Sequence, residues 1–255
     1  ITTKKLHTAA VNSSIFPFGE KDYNEPRVEG RYFKGFKKQY HIGGGIQTDS
    51  RKRISFFFNP GTRWWDNPGN FRYWLFLSVD FRISDKFSVY YESGLTEVFN
   101  QYGWVKTNED DNNIIYFGRR NAKVQWNTFS TKYIFNKSSY LTLRMRHYNS
   151  NVNYEDQFYE LEENGGLRNS AYYDNHNRSY NIFNVDMKYA WRFAPGSELA
   201  IVWKNVIECE DNNIITNYFE NLDKTFNNEQ TNSISLKLIY YFDYLYIKRK
   251  NNFNL

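Results

Sequence analysis

From Asn70 to Ile83 apolar and polar positions alternate almost without interruption. Phe71, Tyr73, Leu75, Leu77, Val79, Phe81 and Ile83 share one parity, and Arg72, Ser78, Asp80 and Arg82 the other. A period of two is that of an extended strand, whose successive side chains leave opposite faces. The signature recurs after Asn181, where Phe183, Val185, Met187, Tyr189, Trp191 and Phe193 oppose Asn184, Asp186, Lys188 and Arg192. Ala194-Pro195-Gly196-Ser197 then turns the chain, and Leu199, Ile201 and Trp203 return against Glu198, Ala200 and Lys204. Proline presets φ and glycine tolerates the bend, so this stretch predicts a long β-hairpin. A third clear run, Ser233 to Tyr246, sets Ile234, Leu236, Leu238, Tyr240, Phe242 and Tyr244 against Ser235, Lys237 and Asp243. Weaker extended patterns cover 2–16, 31–46, 51–59, the run from Phe87, 121–135 with a blurred phase that predicts a bulge, and the run through Leu141, Leu143 and Met145. Together they predict an all-β chain of about ten antiparallel strands.

The connections predict how the strands are joined. Tight turns at Asp49, Asp85, Lys137 and Pro195 alternate strictly with longer polar segments at 19–30, 60–69, 106–113, 150–178 and 210–230. Short connections at one rim and long ones at the other belong to an up-and-down transmembrane β-barrel. A Greek-key sandwich does not sort its loops this way. Gly43-Gly44-Gly45 has no helix pattern after it, so it predicts a bend or bulge rather than a phosphate loop.

Composition narrows the choice. The 255 residues include 22 Tyr, 22 Phe and 7 Trp, yet the mean hydropathy is -0.77. No stretch reaches the roughly eighteen consecutive apolar residues of a membrane-spanning helix. A barrel strand needs apolar residues only at every second position and gathers aromatics at the two interfaces. A lone cysteine, Cys209, forms no internal disulfide. The net charge of +5 is spread through the strands, whereas a nucleic-acid partner requires a basic face. The chain opens at Ile1 with no leader pattern, so 1–255 reads as a single barrel domain forming the C-terminal part of a longer protein.

If the apolar parity meets lipid, Arg53, Arg72, Asp80, Arg82, Glu92, Arg144, Arg146, Asp186, Lys188, Arg192, Lys237 and Asp243 point into the lumen. They form either a salt-bridged polar plug or a path for anionic solutes. Trp64, Trp65 and Trp104, with Tyr154, Tyr159, Tyr172 and Tyr173, fall in or beside the long loops. Such rings stack on sugars or form interfacial belts. Glu155, Asp156, Glu160, Glu162 and Glu163 lack the ligand spacing of a calcium loop. His7, His41, His147 and His176 are scattered, and no HExxH, GxSxG or paired-cysteine motif accompanies them. No catalytic, metal or cofactor site is therefore expected.

EPRVEGRYF at Glu25–Phe33, TDSRK at Thr48–Lys52, YFGRR at Tyr116–Arg120, FAPGSELAIVW at Phe193–Trp203 and SLKLIYYFDY at Ser235–Tyr244 carry a further signal. These segments resemble the C-terminal barrel domain of Gram-negative outer-membrane proteins that bear an N-terminal carbohydrate-binding module similar to family nine. The resemblance implies an outer-membrane location, short turns periplasmic and long loops extracellular, and a link to surface glycan binding or uptake. The module itself is absent, so no sugar-binding residue is carried over. The expectation is an outer-membrane barrel acting as a non-catalytic anchor or assembly partner for other outer-membrane proteins. A small channel for anionic solutes and a soluble lectin-like sheet are the alternatives.

Overall fold

The computed structural model describes residues 1–36, 38–67, 69–108 and 114–242. Its strands are β1 (Thr8–Phe16), β2 (Glu20–Asp22), β3 (Phe33–Phe36), β4 (Gln39–Gln47), β5 (Ile54–Trp65), β6 (Phe71–Arg82), β7 (Phe87–Thr107), β8 (Ile115–Asn136), β9 (Ser139–Leu161), β10 (Leu167–Asn169), β11 (Arg178–Ala194), β12 (Ser197–Asp211) and β13 (Gln230–Ile239). A helix, α1 (Tyr218–Phe226), precedes β13, and no helix among the described residues is long and apolar enough to cross a membrane. The main sheet runs β1-β4-β5-β6-β7-β8-β9-β11-β12-β13, with β10 added to β9 and β2–β3 forming a separate pair. Each strand of the path is antiparallel to its predecessor, the up-and-down order that the loop pattern predicts. Neither β1 nor β13 has a second partner among the described residues, so the sheet is open there rather than a closed barrel.

The connections sort by end. Tight turns at 48–53, 83–86, 137–138 and 195–196 lie at one end, and the strand ends Phe16, Trp65, Thr107, Leu161 and Asp211, from which the longer connections leave, at the other. Some boundaries differ from expectation. The 60–69 segment is mostly strand, since β5 continues through Pro60 to Trp65, and the 150–178 segment loses its first half to β9. The 31–46 run is two strands, β3 turning away to pair with β2.

Register separates the faces. On one, Phe56, Val79, Tyr91, Phe129, Met145 and Val185 are successive cross-strand partners. On the other, Asp80, Tyr90, Ser130, Arg144, Asp186 and Lys204 are. A cavity of about 470 Å³ on the charged face is lined from β6, β7, β8, β9, β11 and β12. Six strands lying side by side share one cavity only if the sheet curls around it, so the charged face is concave and the apolar face convex.

Proline in an inner strand removes a ladder donor, and the sheet compensates at Pro60. The β4–β5 ladder skips from Gly43–Gly61 to Ile46–Phe58, and the Asn59 side chain donates to the Gly44 carbonyl at 2.6 Å in place of the missing rung. The same side chain accepts from the Trp74 indole at 3.3 Å. That indole lies flat over β5, where a Cβ on Gly61 would come within 1.9 Å of it. The glycine run therefore serves close approach: β4 and β5 keep a constant register, and a Cβ on Gly44 would meet the Ala10 carbonyl at 2.5 Å. No bulge interrupts the β4–β5 register there.

The helix was hidden in an Asn-rich segment. Asn217 caps it, its side chain accepting from the amides of Phe219 and Glu220, and Glu220 and Lys224 sit in the first and last turns where the helix dipole favours them. It lies on the convex face near the long-loop end. The Tyr218 hydroxyl meets His147 Nδ1 and the Asn127 amide, each at 3.0 Å. Asn221 and Asn181 exchange amide bonds of 2.6 and 3.1 Å, and Phe226 packs edge-on against Phe183. Here the convex parity is polar (Lys123, Gln125, Asn127), which is why the phase of 121–135 blurs; β8 and β9 stay in constant register from Arg120 to Ile134.

Gly61→Ala should cost about 1–3 kcal/mol, the penalty for forcing extra volume into a packed contact. In a Trp74→Ala background the same change should cost close to nothing. Thermal unfolding of the four-member cycle checks this, and additive effects would refute the interlock.

Candidate functional site

The concave face carries the charges that the alternation singles out. Arg72, Asp80 and Arg82 come from β6, Glu92 from β7, Arg144 and Arg146 from β9, Asp186 and Lys188 from β11, and Lys237 from β13. Arg53 and Arg192 sit at the short-turn end, where the Arg53 carbonyl accepts from the Arg82 amide at 2.7 Å. Asp243 lies outside the described residues. Two residues that the sequence reading left out join this face: Lys132, opposite Thr142, and Lys204, opposite Asp186. Both have the parity of their charged neighbours, and Lys132 was masked by the blurred phase of β8.

Few of these charges pair. Arg146 binds Asp186 at 2.7 Å, and Glu92 accepts from the Tyr90 hydroxyl at 2.7 Å. Among the described residues no carboxylate lies within 4.0 Å of Lys132, Arg144, Lys188 or Lys204. The Lys132 and Lys188 ammonium groups instead approach one ring, Tyr140, at 5.2 and 5.9 Å from its centroid. Asp80 lines the same cavity as these four cations.

The long-loop end is built differently. Phe33, Ile115, Phe117 and Leu161 form a buried core there, with Val28, Tyr102, Trp104, Tyr159 and Leu167 packed on it. Glu25 Oε1 accepts from Arg120 at 3.0 Å and from the Trp104 amide at 2.8 Å, pulling segment 17–38 onto β7 and β8. The tryptophans considered as sugar platforms differ in exposure, and Trp64 is 41% exposed. Arg27 covers the Trp104 ring at 3.9 Å, Trp65 is buried, and Trp64 stacks on Tyr40 with centroids 5.8 Å apart.

The loop acids do not converge. Glu160 binds Arg168 at 2.5 Å, which holds its carboxyl below the usual range, and Glu155 faces Arg119 at 3.6 Å. No cluster of His, Cys, Asp and Glu among the described residues could hold a metal ion. His147 is buried beneath Tyr218, far from His176, which packs against Tyr154, Phe158 and Tyr172 in the loop cap. Its Nε2 lies 2.7 Å from the Tyr172 hydroxyl. Burial pushes the His176 imidazole below its ordinary value, with Asp174 opposing and Lys106 reinforcing the effect.

A family model described as Domain of unknown function (DUF5916) matches residues 1–251. No curated protein matches the chain.

The depressed His176 value means that the unfolded loop takes up a proton before the folded one does. The cap therefore keeps its full stability above the ordinary histidine value of about 6.5 and loses it as pH falls through the lower folded value. Hydrogen exchange over residues 154–177, corrected for the intrinsic pH dependence of exchange, should quicken between about pH 7 and 5. His176→Gln should flatten that profile. Wild-type protection that stays constant over this range would contradict the assignment.

Proposed function

We infer, from the premise that the chain belongs to the family described as Domain of unknown function (DUF5916), that it works as a β-barrel wall in a bacterial outer membrane. In this reading it has no catalysis of its own and anchors or assembles partners at the surface. The observation that carries the reading is an apolar band on the convex face alone, bordered by aromatics. Its residues are solvent-accessible where a soluble sheet would cover them: on inner strands Leu75 is 41% exposed, Phe81 40% and Ile201 41%. No second layer packs on them among the described residues, which disfavours the soluble lectin-like reading.

The band's dimensions fit. Five cross-strand rows, from the Val79–Val185 row down to Phe193 and Tyr240, spaced by two residues and tilted as in a barrel, give a height of roughly 25 Å. Toward the short turns Phe87, Tyr133, Phe135 and Tyr189 form a chain of edge contacts, continued by Trp191, Phe193 and Tyr240. Toward the long loops the stacked pairs Tyr40–Trp64 and Phe71–Phe99 occupy the equivalent position. Aromatic girdles at both borders of an apolar band are the signature of strands that cross a bilayer. The link to surface glycan rests on the family resemblance, and no ring in the loop cap is offered as its platform.

A second reading, a passage for anionic solutes, is favoured by the unpaired cations of the concave face.

The test is electrophoretic mobility of the protein from extracted outer membranes, with and without boiling. Faster migration unboiled is expected. Met187→Arg, on the convex band, should abolish the shift, since an arginine at mid-bilayer costs about 2–4 kcal/mol. Val202→Arg, on the concave face, should retain it. Equal tolerance of both substitutions would sink the membrane reading.

A further inference from the structure

We propose that the cavity on the concave face is a binding site for a solute carrying a polyvalent oxyanion, a phosphate, pyrophosphate or sulfate group. The inference rests on the second reading above, that this face is open to solutes.

Two adjacent rows build the site. In one, Thr142 is the direct cross-strand partner of both Lys132 and Lys188. In the next, Ser130, Arg144, Asp186 and Lys204 follow one another across four strands. Directly opposed residues lie about 5 Å apart, so the four cations crowd a patch about 15 Å across that also lines the cavity. Two acids line the cavity with them: Asp186 is already held by Arg146 at 2.7 Å, and Asp80 stands at the β6 end of the second row. The hydroxyl-bearing Thr142 and Ser130 sit between the cations, where an oxyanion needs neutral donors.

Toward the long loops several arginines are paired. Arg120 meets Glu25, Arg168 meets Glu160 and Arg178 meets Glu210. Here four cations line one cavity with two carboxylates, Asp80 and the Arg146-bound Asp186, and a bound anion relieves the mutual repulsion that remains. Lys132 and Lys188 share the Tyr140 ring, whose negative face offsets part of that repulsion. A monovalent anion would leave most of the excess unbalanced, so the chemistry points to two or more negative charges.

The probe is sodium pyrophosphate, titrated calorimetrically into the detergent-purified chain. Saturable binding is expected, weakening by about tenfold or more when salt shortens the screening length. The double variant K132Q/K188Q should lose roughly tenfold or more in affinity, while K132R/K188R keeps it within about threefold, because the charge and not the lysine stem is recognised. Lys237→Gln, on the same face but away from the cavity, should change affinity by less than about twofold. Without pyrophosphate K132Q/K188Q should also raise the thermal midpoint, since it removes repulsion. If that variant does not fold, Lys204→Gln carries the same comparison.

An absence of pyrophosphate binding, or equal weakening by Lys237→Gln, overturns the site and leaves only a diffuse positive potential. The mobility assay on the same preparations separates the two ideas. A heat-dependent shift without binding removes the site and spares the membrane reading, and binding without a shift does the reverse.

Discussion

Cross-strand register is the constraint on which everything else here depends. Side chains alternate with a period of two, so a slip of one residue would turn Arg144, Asp186 and Lys188 outward and the Leu143, Met187 and Trp203 side chains to the concave face. Several devices hold the register. Gly196, at φ 73°, closes the β11–β12 turn, the Trp74 indole sits over Gly61 and the Trp126 indole over Gly94, and Asn59 supplies the rung lost at Pro60. The irregularities are kept to the ends. Ladder shifts fall at Val98/Gln101, Trp104/Lys106 and Gly118/Arg120 toward the loops, and at Ile134/Asn136 and Trp191/Ala194 toward the turns. Between them the alternation is unbroken, and the apolar band lies there.

The long strands have two environments along their length. β7, β8 and β9 run 21, 22 and 23 residues, about 70 Å at strand rise, more than twice the hydrocarbon thickness of a bilayer. Near the turns the two faces differ most, apolar outside and charged inside. Toward the loops the convex face becomes an asparagine-rich layer that α1 covers, and the buried apolar cluster of Phe33, Ile115, Phe117 and Leu161 forms among the loops themselves. The proposed membrane segment thus has no apolar core of its own. Its order comes from the backbone ladder, and on the proposed reading its apolar face is satisfied by lipid.

Charge is handled in opposite ways at the two levels. In the loop cap Glu25 serves both an arginine and a backbone amide, so a partly buried ion pair also fixes the path of a loop. On the concave face Lys132, Lys188, Arg144 and Lys204 have no carboxylate within 4.0 Å among the described residues. Their convergence on one cavity is the basis of the oxyanion proposal.

The amino-acid sequence by itself determined the strands, their up-and-down order and the sorting of turns from loops, because each is written in local signals: a period of two, and turn residues at Asp49, Asp85, Lys137 and Pro195. Most of the concave-face charges were legible for the same reason, parity alone assigning Asp80, Arg144, Asp186 and Lys188 to one side. Lys132 was not, because β8 borders the helix-covered layer where both parities are mixed. The fate of Trp104 was not legible either, since its packing against Arg27 and the loop core depends on residues distant in sequence being brought together. Only the tertiary structure decided that α1 lies across the asparagine layer and that six strands share one cavity. It also left β1 and β13 unjoined among the described residues. Curvature and edge pairing are sums over the whole sheet, and no local window of sequence contains them.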